Sequence, residues 1–185
     1  MSLTKTPICD FGKKAETFQL NSTDNKIISL EDIKGENGTL IMFICNHCPY
    51  VKAVIEDIVE DSNKLANFGI KSVAICSNDV KNYPEDSFDN MIKFSQNHNF
   101  NFPYLFDETQ EIAKKYDAVC TPDFFGYNKN LELQYRGRIR ELKDLKPVRS
   151  GDSDLYQAMK QIAETENGPK NQIPSMGCNI KRINN

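Results

Sequence analysis

The chain lacks any apolar run long enough to cross a bilayer, which takes about 20 residues; its most apolar stretch begins at Leu40 and has lost that character by Asn46. No N-terminal segment joins basic residues to an apolar core and a small-residue cleavage site, so a soluble, cytoplasmic protein is expected. No charge sign dominates either. Lys and Arg number 23 and Asp and Glu 26, a net charge of -3, which offers no surface for nucleic acid or an anionic membrane. Repeats and low-complexity tracts are absent, so the 185 residues read as one domain over 1–185, with an irregular polar tail over 170–185. A second Cys-X-X-Cys pair is missing, which argues against a structural zinc site of four ligands. The six cysteines lie at irregular spacings unlike a secreted disulfide scaffold, and fit a reducing compartment with one catalytic pair better.

That pair lies in Leu40-Ile-Met-Phe-Ile-Cys-Asn-His-Cys-Pro-Tyr-Val51. Leu40 to Ile44 has the length and side chains of a buried strand. The period then changes: Val51, Val54, Ile55 and Ile58 follow the spacing of one helix face, while Lys52, Glu56, Asp57 and Glu60 take the other. Pro49 suits a first helical turn. Cys45 and Cys48 are thus expected at a helix N-terminus, where unpaired N–H groups and the helix dipole stabilise a thiolate. The thiolate is the nucleophile in disulfide exchange, and it is expected on Cys45. His47 is the second perturber, either as an imidazolium or as an N–H near the sulfur.

Around this centre the sequence predicts a leading hairpin (Phe18 to Ile28), a helix ending near Phe68 and a parallel strand at Ile70–Cys76. Further helices follow from Phe88 and around Ile112, with a short strand at Tyr104–Phe106 between them. Val119-Cys-Thr-Pro-Asp-Phe-Phe125 opens an apolar strand directly after a proline, and Leu131, Leu133 and Tyr135 alternate on its return. Arg136, Arg138 and Arg140 continue that alternation and read as a solvated edge face. A last helix buries Leu155, Met159 and Ile162.

The combination of Cys45-Asn-His-Cys-Pro-Tyr-Val51, Cys120-Thr-Pro-Asp-Phe-Phe125 and Gly177-Cys-Asn-Ile180 resembles the thioredoxin superfamily. Within it, the chain is similar to the redoxin branch that holds alkyl hydroperoxide reductase and thiol-specific antioxidant (AhpC/TSA) proteins, in particular bacterial thioredoxin family proteins. The resemblance implies an α/β thioredoxin-like fold: a central mixed β-sheet flanked by helices, with an N-terminal β-hairpin extension. It also implies Cys45 as attacking thiol, Cys48 as resolving thiol and Pro122 as a cis-proline facing them after Thr121. His47 matches the histidine of the Cys-Pro-His-Cys motif of DsbA-type proteins, with Asn46 in place of the proline. Unlike ordinary thioredoxin the chain has no tryptophan, and Ile44 stands where one usually precedes the first cysteine.

The function expected is thiol–disulfide oxidoreduction by a Cys45–Cys48 couple, acting on protein or small-molecule disulfides and dithiols, with an electron donor but no cofactor or metal. Cys120 and Cys178 are candidate auxiliary thiols that would pair and relay electrons from the tail. A peroxiredoxin-like thiol peroxidase is the alternative within enzymes. Its usual Pro-x-x-x-Thr/Ser-x-x-Cys pattern would need Pro at Ile41 and Thr or Ser at Cys45, or Pro at Gly38 and Thr or Ser at Met42, and neither fits. The alternative from another class is a non-catalytic metal-binding or interaction module using Cys45, His47, Cys48 and Cys120.

Overall fold

The computed structural model describes residues 3–183; residues 1, 2, 184 and 185, the ends of the expected domain and tail, lie outside the described residues. In chain order the elements are β1 (Leu3–Lys5), β2 (Gln19–Ser22), β3 (Ile27–Ser29), β4 (Gly38–Phe43), α1 (Pro49–Ala66) and β5 (Ile70–Cys76). A 3₁₀ turn at Pro84–Asp86 leads to α2 (Phe88–Asn97), β6 (Tyr104–Phe106), α3 (Glu111–Lys115), β7 (Cys120–Thr121), β8 (Asp123–Asn128) and β9 (Leu133–Tyr135). The hairpin β10 (Leu142–Lys143) and β11 (Lys146–Pro147), then α4 (Asp154–Thr165) and β12 (Met176–Asn179), complete the chain.

The main sheet runs β3-β2-β6-β5-β4-β8-β9. Its middle strands β6, β5 and β4 are parallel, and the strands on either side of them join antiparallel. Every residue of β4 is buried, because both faces of the strand are covered. Leu40, Met42 and Ile44 pack toward Val51, Val54, Ile55 and Ile58 of α1 and Leu155, Met159 and Ile162 of α4. Ile41 and Phe43 point the other way, toward Phe18, Ile112 and Tyr116. Fully burying each of these aliphatic side chains stabilises by roughly 1.5–3 kcal/mol, so the strand that carries the Cys45 turn is anchored from both sides. The leading hairpin is an edge of this same sheet, since β2 pairs with β6. Among the described residues no helix is long and apolar enough to cross a membrane.

Two expectations are corrected. The tail is not irregular: β12 is the middle strand of a second, three-stranded sheet, β1-β12-β7, with Cys178 opposite both Leu3 and Thr121. Its backbone partners are β1, near the start of the chain, and β7, an internal strand far from it in sequence, and so no local pattern announces it. The three arginines are not a solvated edge face either. The strand stops at Tyr135, and the residues beyond it run past acidic groups of other elements. Arg138 bonds Asp154 at 2.7 Å and Arg140 bonds Asp57 at 2.8 Å.

Arg136 is the most deeply placed of the three, at 5 % exposure. Its Nη2 and Nε donate to the carboxylate of fully buried Asp123 at 3.0 and 3.3 Å, and its guanidinium lies 4.4 Å from the Phe125 ring centre. Asp123 also accepts from the Val119 N–H, which ties down both ends of the turn holding Thr121 and Pro122. Burial still pushes the Asp123 carboxyl up to about 6, against the pull of Arg136. An unpartnered charge here is costly. Arg136→Met should therefore lower stability by about 3–5 kcal/mol, read as a shift in the urea unfolding midpoint; a shift near zero would mean the pair holds nothing together.

Candidate active site

Cys48 occupies the N-cap of α1, a position usually taken by Ser, Thr, Asp or Asn, and Pro49 follows in the first turn. The Cys48 carbonyl accepts the first helical bond from the Lys52 N–H at 3.0 Å. Cys45 lies just past the end of β4, which Ile44 extends by donating to the Ile75 carbonyl at 3.0 Å. The sharp passage from a buried strand to a helix start thus brings the two thiols close enough for each to shift the other's pKa.

Thr121 closes the site. The Thr121–Pro122 peptide bond is cis. The Thr121 hydroxyl lies 3.3 Å from Cys45 Sγ, and its carbonyl oxygen is 3.2 Å from Cys48 Sγ, which donates to it when protonated. Both sulfurs are covered, Cys45 at 1 % exposure and Cys48 at 0 %. Beside them, Cys178 of β12 shares a hydrogen bond with Cys48.

The charge distribution differs from the sequence expectation of a Cys45 thiolate. The bond from the Cys45 thiol pulls Cys48 down to about 5, overcoming burial, and Cys178, Thr121 and the Val51 N–H add to the effect. Cys45 is pushed well up, first by that same shared bond, then by burial and by the negative charge of Asp86. The direction of the two shifts favours the anion on Cys48, at the helix N-cap, over Cys45.

Asp86 is the residue that sequence reasoning missed. It ends the 3₁₀ turn after β5 and is fully buried. Its Oδ1 accepts from the Asn46 and His47 N–H groups at 2.8 and 3.2 Å; its Oδ2 accepts from Asn78 at 2.7 Å and meets His47 Nδ1 at 2.6 Å. His47 also stacks on Tyr83, with centroids 5.5 Å apart. The Asp86 carboxyl is held below the usual carboxylate range: hydrogen bonds from His47, then Asn78, outweigh the large opposing effect of burial. An ionised carboxylate at 2.6 Å requires a proton on Nδ1, so this N–H is committed to Asp86. It is not the hydrogen-bond donor of the Cys45 sulfur, which lies 3.9 Å away. Asn78 lies just past the carboxyl end of β5, where the sites of such sheets gather, whereas nothing in the spacing of Asp86 marks it.

The other candidates separate. Cys120 faces the Pro122 carbonyl and is pushed up by burial. Cys120 and Cys178 are not the pair expected. Cys178 lies opposite Thr121 and Cys120 opposite Asn179, so the two cysteines sit at adjacent register positions whose side chains leave opposite faces of the sheet. The donors expected for a metal module are not gathered as such. Among the described residues, the group within 4.8 Å is Cys45, His47 and Asp86, and His47 Nδ1 already faces the carboxylate. Cys76 is buried and pushed up to about 12, in keeping with a core side chain.

The profile of the AhpC/TSA family matches residues 11–142. No curated protein matches the sequence. A conserved protein from Geobacillus kaustophilus is 40% identical, covering 99% of this chain and 97% of that one at a TM-score of 0.94. A hypothetical protein from Sinorhizobium meliloti is 32% identical, with 97% and 98% covered and a TM-score of 0.90. A thiol:disulfide interchange protein of the thioredoxin family from Chlorobium tepidum is 16% identical, with 83% and 94% covered and a TM-score of 0.60, a likeness of fold.

The hydrogen bond that His47 donates to Asp86 raises the His47 pKa above the ordinary value, despite burial. The stability this contributes is full below the unfolded histidine value near 6.5 and is lost as pH rises through the folded value. For Asp86, held low, the contribution is present above the unfolded value near 3.9 and lost as pH falls through the folded one. Asp86→Asn should lower the His47 pKa measured by proton NMR titration and flatten the loss of stability above pH 6.5. An unchanged His47 titration would show that Asp86 is not what charges it.

Proposed function

The chain belongs to the AhpC/TSA family, and from that premise we propose that it is a thiol–disulfide oxidoreductase whose redox couple is Cys45 and Cys48. The observation that carries this reading is the contact of a single residue, Thr121, with both sulfurs at a strand-to-helix junction, next to a cis-proline. Protein or small-molecule disulfides and dithiols are its substrates.

The steps follow from the shared proton. Cys45 passes its proton to the Cys48 thiolate and attacks one sulfur of the substrate disulfide, forming a mixed disulfide and releasing the other sulfur as a thiolate. Cys48 then gives that proton to the departing substrate thiolate and attacks Cys45, forming the 45–48 bond and releasing the second substrate thiolate. The two electrons gained by the substrate come from the two cysteines. Thr121 supplies a hydroxyl to the Cys45 sulfur, and the His47–Asp86 pair adds a local dipole with no net charge.

Cys48→Ser should trap covalent complexes with disulfide substrates, seen on non-reducing gels and lost on reduction, whereas Cys45→Ser should not. Equal trapping by the two variants would contradict these roles. Stopped-flow peroxide consumption in the presence of a dithiol reductant separates this activity from that of a peroxidase: the expected result is turnover of disulfide far faster than of hydroperoxide.

A further inference from the structure

We infer that Cys178 is a third redox thiol of this centre, which takes the disulfide over from Cys45 by forming a bond with Cys48. The inference deepens the proposed function and rests on it. Its basis is the placement of β12. The strand pairs with β7 so that Cys178 is directly opposite Thr121, the residue whose carbonyl touches Cys48 Sγ. Directly opposed residues of antiparallel strands send their side chains to the same face.

That register is fixed from both sides. Before the cysteine, a Cβ on Gly177 would lie 2.0 Å from the Thr121 carbonyl oxygen and 3.2 Å from Pro122 Cδ, so only glycine permits the approach. Ser175 hydroxyl donates to the Pro122 carbonyl at 2.8 Å, and the Thr6 N–H donates to the Ser175 carbonyl at 2.9 Å. After it, the Ile180 N–H donates to Val119. The Lys181 carbonyl accepts from Asp79 N–H and Gln110 Nε2, and the Lys181 N–H donates to Asn78 Oδ1, the same asparagine that bonds Asp86. A segment that did no more than fill a surface groove would not need its one thiol aligned with the redox pair.

The step balances without an outside reagent. Once a substrate has left the 45–48 disulfide behind, Cys178 sulfur attacks Cys48 sulfur; the 48–178 bond forms, the 45–48 bond breaks, and the proton of Cys178 passes to Cys45. The oxidation level of the protein is unchanged. Cys45 is again a thiol and can engage another disulfide while the oxidising equivalent is held on the tail.

Disulfide mapping tests this. The full chain is equilibrated with mixtures of oxidised and reduced glutathione, quenched in acid, alkylated in denaturant and analysed as peptides. The expected result is a Cys48–Cys178 pair alongside Cys45–Cys48, with a matching loss of Cys178 alkylation. In Cys45→Ser the 48–178 bond should be the one intramolecular product. Gly177→Ala, which keeps every thiol, should retain the 45–48 bond and lose the 48–178 bond. Fully alkylated Cys178 in protein that carries the 45–48 bond would overturn the inference and leave the proposed function standing. The absence of both bonds would overturn both.

Discussion

Two thiols bear on one residue. Thr121 meets Cys45 through its hydroxyl and Cys48 through its carbonyl, and its backbone pairs with the tail strand. Most of the architecture serves to hold those groups in place. The doubly buried β4 fixes where Cys45 emerges, and α1 fixes Cys48 at its first turn. The Asp123–Arg136 pair braces the turn from behind, where an apolar substitution of one partner would strand the other's charge.

The electrostatics follow from the same placement. Both sulfurs are out of water, and burial alone opposes an anion on either. What decides between them is the number of donors. Cys48 faces a thiol on each side as well as the helix N-terminus, whereas Cys45 faces a partner whose anion it stabilises and, behind it, the charge of Asp86. Asp86 in turn is neutralised locally by His47 and braced by Asn78, so its cost to Cys45 is contained rather than removed. The histidine in the middle of the motif therefore acts chiefly as the partner of a buried carboxylate.

The sequence made the centre legible because two periods meet there. An apolar run of strand length gives way to a 3.6-residue stripe within a few residues, and a proline marks the junction; β5, β6 and α4 could be read by the same rule. Where the readings went astray, the information was not local. The alternation of Arg136, Arg138 and Arg140 was carried past the end of β9, and only tertiary placement shows Asp123, Asp154 and Asp57 waiting for them. Met176 to Asn179 has little apolar character, and its strand neighbours β1 and β7 are remote in sequence. Asp86 follows a proline and precedes a helix, so it looks like an ordinary lead-in; its role depends on the Asn46–His47 backbone, some forty residues upstream, turning to meet it.

The docked tail has a consequence for selectivity. A strand tethered to its own partner competes for that partner at an effective concentration that is commonly millimolar for short flexible linkers. Any extended peptide seeking the β7 edge competes against that internal rival as well as against water. An extended peptide reaching for β7 would therefore have to displace β12 from its pairing first.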